Sequence, residues 1–127
     1  MIAVIDTSYL IEFLDNPSQE SFQWILDAKL IAPVLLKYEY NNVLINKLKN
    51  NTAAIEQFRD VIADLEIKYI EAIDHEKDIF MLAVDHKLSF YDATYLFLAV
   101  KNNAPIATFD GEIIKAAKNI NHPMVTK

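Results

Sequence analysis

Short apolar runs alternate with helix-patterned stretches along the whole of this chain, and few folds accept that alternation. Met1-Ile2-Ala3-Val4-Ile5 is an apolar run that ends at an acid, Asp6. Residues 30–34, a short segment around Ile67, Tyr69 and Ala72, residues 105–108 and a last segment at 124–126 repeat the strand-like character. Between the strands, Leu10, Phe13 and Leu14 fit one helix, which Asn16-Pro17 stops. Ser18 can cap a second helix through Ala28, with Phe22, Ile25 and Leu26 on its apolar face. Spans 35–49 and 52–65, with Thr52 as the cap of the latter, predict an antiparallel helix pair around Asn50-Asn51. Further helices are expected at 75–87, from Ser89 to about 101, and at 112–119. Such alternation predicts an α/β fold, a three-layer sandwich in which a central parallel sheet of about five strands is flanked by helices.

With 127 residues and apolar side chains making up 53% of them throughout, residues 1–127 read as a single domain with one core. No apolar run approaches the roughly 18 residues of a membrane span. No basic region, apolar run and small-residue cleavage site stand ahead of Asp6, so the expected location is cytoplasmic, with no membrane partner. The absence of cysteine excludes disulfides, thiolate catalysis, iron-sulfur clusters and zinc fingers. A single glycine, Gly111, cannot build the phosphate-cradling loops of nucleotide-binding enzymes, which need several. The net charge of −6, with Arg59 the one arginine, is the wrong sign for a simple DNA-binding module.

Four acids stand out by position. Asp6 and Asp110 follow the first and fourth strands, where parallel strands bring their carboxyl ends to one edge of the sheet, and either could also cap the helix after it. Asp92 completes a Ser89-x-x-Asp92 capping box on a helix that is apolar almost all round. Glu39 shares a helical row with Leu36 and Val43, beside the stripe that should face the core, with no lysine at a spacing of three or four; Asn42 is positioned to hydrogen-bond it. Each acid has an ordinary structural explanation. Taken together, four carboxylates placed to converge without a basic partner suit a hard divalent cation, Mg²⁺ or Mn²⁺, and phosphodiester hydrolysis.

The segments Val4-Ile5-Asp6-Thr7-Ser8-Tyr9-Leu10-Ile11, Glu39 with Asn42-Val43-Leu44, Leu88-Ser89-Phe90-Tyr91-Asp92-Ala93, and Thr108-Phe109-Asp110, in this order over essentially the whole chain, resemble the PIN domain family and within it the small VapC-like toxin ribonucleases. The resemblance implies Mg²⁺- or Mn²⁺-dependent endonucleolytic cleavage of RNA, with metal binding and catalysis on Asp6, Glu39, Asp92 and Asp110. It places Ser8 and Thr108 as hydroxyls that support the acids. The partners it implies are RNA, an antitoxin with a basic amphipathic tail that wraps the nuclease, and a second copy of the chain in a homodimer. Phe13, Phe22 and Trp24 are the aromatic anchors expected for that tail.

Two other classes compete. A receiver-type phosphorylation domain has this length and strand-end acids, yet needs an acid pair after its first strand, where Thr7 and Ser8 follow Asp6, and an aspartate after its third, where Glu71 follows Ile70. A dehalogenase-type phosphatase would want Asp-x-Asp, and Ser8 occupies the second position. A catalytically silent PIN module acting as a binding scaffold is the third alternative.

Overall fold

A computed structural model of the protein describes residues 1–125. Four strands, β1 (Ile2–Ile5), β2 (Lys29–Pro33), β3 (Lys68–Ile70) and β4 (Ile106–Ala107), form one parallel sheet in the order β3-β2-β1-β4. The expected fifth strand is reduced to a single parallel bridge from Met124 to Ile106, and Thr126 lies outside the described residues. Among the described residues six α-helices accompany the sheet: α1 (Thr7–Asp15), α2 (Leu35–Lys47), α3 (Thr52–Asp64), α4 (Glu76–His86), α5 (Phe90–Lys101) and α6 (Gly111–Asn119).

The strand order is what positions the site. The chain runs outward from β1 to β2 to β3 and then crosses back to lay β4 on the other side of β1. Right-handed crossovers put α1 to α3 on one face during the outward run and α4 and α5 on the other during the return. The packing of α1 on α2, and of α5 on α4 and α6, follows that division. Between β1 and β4 the direction of travel reverses, and the carboxyl ends of those two neighbours open a crevice there.

The core sits on β1 and α5. Ala3, Val4 and Ile5 are fully buried, as expected of a central strand covered on both faces, and Ala93, Tyr95, Leu96, Leu98 and Ala99 bury α5 on nearly all sides. That accounts for a helix with almost no polar face.

Two local readings of the sequence are corrected. The segment Glu20–Leu26 is a 3-10 helix rather than an α-helix. Phe22 and Ile25, its buried residues, are three apart, a spacing that eclipses in a 3-10 turn and therefore serves either geometry. The cap of α3 is Asn51, whose side chain accepts from the Ala54 amide at 3.2 Å, and Thr52 is the first helical residue. Asn51→Ala should therefore lower stability by about 1 kcal/mol and Thr52→Ala by no more than about 0.5 kcal/mol, read from the midpoints of urea melts.

Candidate active site

All four acids line one open pocket of about 440 Å³ at the carboxyl ends of β1 and β4. Asp6 leaves the end of β1, Asp110 follows β4 by way of Thr108 and Phe109, Glu39 enters from α2 on one face of the sheet, and Asp92 from the first turn of α5 on the other. Thr7, Ser8, Glu12 and Tyr95 also line it, together with the apolar Ile11, Val43 and Phe109.

Asp6 is the most constrained member, with only 3% of its surface exposed. Its Oδ1 accepts from the Tyr9 amide at 2.9 Å and from Ser8 Oγ at 2.7 Å, while Oδ2 accepts from Thr108 Oγ1. The two hydroxyls are themselves held by the β4 loop: Ser8 Oγ accepts from the Phe109 amide, and Thr108 Oγ1 from the Asp110 amide, both at 2.9 Å. Each hydroxyl gives its one proton to Asp6 and takes a backbone proton in return, so the ends of two adjacent strands are stitched through one carboxylate. Burial, partly countered by these hydrogen bonds and reinforced by the charge of Asp110, pushes the Asp6 carboxyl up to about 6.

Asp110 caps α6, its Oδ1 accepting from the amides of Glu112 at 2.9 Å and Ile113 at 3.1 Å. Asp92 is half-buried, and its amide donates to Ser89 Oγ at 3.0 Å to start α5. Desolvation first, then the charge of Asp110 and more weakly those of Glu39 and Glu112, raise the Asp92 carboxyl above the usual carboxylate range. Capping and pocket lining thus coexist at Asp6 and Asp110, and at Asp110 the cap engages one carboxylate oxygen and leaves the other.

The support of Glu39 differs from the expectation. Asn42 is exposed and lies outside the pocket lining. Glu39 Oε1 instead accepts from Thr7 Oγ1 at 2.8 Å and from Tyr95 Oη at 2.5 Å. One helical turn separates Glu39 from Asn42, but the groups that reach its carboxylate come from α1 and α5. Thr7, Tyr95 and Glu12 are the polar lining residues that the sequence reading missed. Glu12 follows Ser8 by four residues and so shares its helix face, a usable signal. Thr7 and Tyr95 are separated from Glu39 by 32 and 56 residues, and no local pattern announces them.

The proposed aromatic anchors are also corrected. Phe13 and Phe22 are each 3% exposed and belong to the core, where Phe22 packs edge-on against Tyr9. Trp24 is half-buried and donates its indole N–H to Tyr9 Oη at 2.9 Å. Tyr9 in turn stacks on Phe109, with ring centroids 4.7 Å apart, beneath the loop that carries Asp110.

Among the described residues no cation forms an ion pair with Asp6, Glu39, Asp92 or Asp110; the two ion pairs there are Lys47 with Asp15 and Arg59 with Glu56. The donor set is all hard oxygen, the chemistry that Mg²⁺ and Mn²⁺ favour. Among the described residues no three acids or histidines stand close enough together to form a ready-made metal cage. That arrangement is compatible with Mg²⁺, which keeps several waters and binds through one or two carboxylates and the phosphate of a substrate.

Residues 3–119 match the family model described as PIN domain. A crystal structure of PAE2754 from Pyrobaculum aerophilum superposes with a TM-score of 0.71 at 20% identity, over 91% of this chain and 87% of that one, a likeness of fold. No curated protein matches. The chain belongs to the PIN domain family, whose members are in general nucleases that typically use divalent metals. Membership also sets aside the receiver-type and phosphatase readings. Among the described residues no helix is long and apolar enough to cross a membrane.

The elevation of Asp6 has a sign that can be tested without metal. A carboxyl whose pKa is about 6 in the folded chain and 3.8 when unfolded binds its proton more tightly in the fold. Its contribution to stability is therefore greatest below pH 4, falls as the pH rises from 4 to 6, and is flat beyond, an overall loss of about 3 kcal/mol. Asp6→Asn keeps an oxygen for Ser8 and Tyr9 and places an amide opposite Thr108, without the charge. In chelator, thermal melts should show this variant at least as stable as wild type at pH 7.5, with the advantage shrinking toward pH 4. A large loss of stability at pH 7.5 would mean that the charge itself holds the strand ends together.

Proposed function

We propose that this protein is a metal-dependent endoribonuclease, the toxin of a toxin-antitoxin pair. The observation that carries the reading is the pinning of acids by one edge. Asp110 uses Oδ1 for two amides and Glu39 uses Oε1 for two hydroxyls, so Oδ2 and Oε2 take no hydrogen bond from the described residues. Among the described residues no fully buried side-chain oxygen is left without a partner, so these free edges face solvent in the pocket. Carboxylates oriented from behind and open in front are what outer-shell hydrogen bonds provide at metal sites.

Asp6, Glu39, Asp92 and Asp110 are the residues that would hold Mg²⁺ or Mn²⁺, which would supply polarisation of the phosphoryl oxygen, activation of a water and stabilisation of the leaving oxygen. Ser8 and Thr108 keep Asp6 in place. The apolar wall of Ile11, Val43 and Phe109 borders the acids and offers ribose and base a surface that is not anionic. An acidic chain with an open anionic pocket is complementary to a basic amphipathic tail, which supports an antitoxin as partner; with Phe13 and Phe22 in the core, Trp24 is the aromatic of the three left to meet it. A homodimer belongs to the same reading, and exposed Phe80, Met81 and Val84 on α4 supply apolar surface for it.

Incubation with a mixed RNA pool tests this. Mn²⁺ or Mg²⁺ should support cleavage that rises with pH across the neutral range, and Ca²⁺, larger and looser in geometry, should support it poorly. Asp110→Asn should abolish cleavage, and Thr108→Val should weaken it less, since that change removes a supporting hydroxyl and no charge. Equal cleavage in chelator would sink the metal mechanism, and no cleavage under any condition would favour a silent binding module.

A further inference from the structure

Tyr95 carries a phenol at a position where packing asks only for a ring. It is 2% exposed, on a predominantly apolar helix, and a phenylalanine would fill the same space. A buried hydroxyl is costly unless its hydrogen bond is made. Here the bond is made to a pocket acid: Tyr95 Oη donates to Glu39 Oε1, which also accepts from Thr7 Oγ1, and the two hydroxyls stand 3.1 Å apart. Three helices meet in this triangle. Thr7 opens α1 beside Asp6, Glu39 lies in α2, and Tyr95 sits three residues beyond Asp92 on α5, so the face of α5 that delivers one acid also delivers a donor to another.

We propose that Tyr95 is a positioning residue of the site: with Thr7, it fixes Glu39 by Oε1 and so selects Oε2 as the oxygen offered to a metal ion. The proposal rests on the nuclease reading and specifies how one of its ligands is aimed. Glutamate reaches the pocket through three rotatable bonds, and a half-buried helix face does not by itself choose among their rotamers. The tyrosine ring has two rotatable bonds, both fixed by the core, so its oxygen is a stationary reference point. Thr7 supplies a second point tied to the end of β1. Two donors converging on one oxygen define the plane of the carboxylate as well as its place.

The test combines Mn²⁺ binding to the metal-free protein, followed by titration calorimetry, with RNA cleavage in Mn²⁺. Tyr95→Phe should raise the Mn²⁺ dissociation constant about tenfold and lower kcat while KM for RNA changes little. In the Glu39→Gln background the same change should add much less, because its effect passes through that carboxylate. Thr7→Val leaves the Tyr95 ring untouched and should also weaken Mn²⁺ binding, with Thr7→Ser retaining more affinity than Thr7→Val. A purely structural tyrosine would give Tyr95→Phe a lower melting temperature and a wild-type Mn²⁺ dissociation constant. That result, or Tyr95→Phe and Thr7→Val both binding Mn²⁺ as wild type does, would overturn the assignment. Wild-type protein that neither binds Mn²⁺ nor cleaves RNA would instead remove the nuclease reading itself, and this inference with it.

Discussion

Burying the Asp6 carboxylate at the end of the central strand costs free energy, and much of the surrounding structure offsets that cost. Two hydroxyls and one amide donate to it, and the two hydroxyls are fixed by the amides of Phe109 and Asp110. The β4 loop is therefore located by its bonds to the β1 end. Once that loop is placed, Asp110 caps α6 and faces the pocket. The offset is incomplete, since burial still leaves the carboxyl at about 6. A residue held so poorly solvated, with no ion pair from the described residues, makes sense where something outside the chain completes its environment.

The sheet order supplies the other half of the argument. With β1 between β2 and β4, the reversal of chain direction falls beside Asp6, and helices from opposite faces can each reach over the edge. Glu39 and Asp92 come from those two faces, and residues far apart in sequence share one pocket. Because α5 is buried on nearly all sides from Ala93 to Ala99, the helix that carries Asp92 in its first turn and Tyr95 in its body is anchored against the strand ends. The acids thus stand on helices and strand ends rather than on a long loop, which limits how far each can drift from the others.

What was legible in the sequence follows the range of each interaction. An apolar run broken by an aspartate marks a strand end, so Asp6 and Asp110 could be read directly, and an apolar helix carrying Asp92 announces its own burial. Glu39 was visible as an acid on an apolar row, but its donors were not: Thr7 and Tyr95 act across 32 and 56 residues, whereas Asn42, the local guess, points elsewhere. The same limit explains the aromatic residues. Phe13 and Phe22 have the size of interface anchors, and only the fold shows that Tyr9 and the core already occupy them. The fifth strand failed for a different reason, since an edge segment needs few ladder bonds, and Met124 forms a single bridge before the described residues end.

The central claim is that the fold holds Glu39 and Asp110 by one carboxylate edge each, leaving the other edge open to a divalent ion beside Asp6 and Asp92 at the switch point between β1 and β4. Anomalous diffraction from crystals soaked in Mn²⁺ addresses it most directly. The account expects an anomalous peak in the pocket lined by Asp6, Glu39, Asp92 and Asp110, and its loss in crystals of Asp110→Asn. A well-ordered pocket with no peak at saturating Mn²⁺, or a peak confined to another part of the surface, would contradict it.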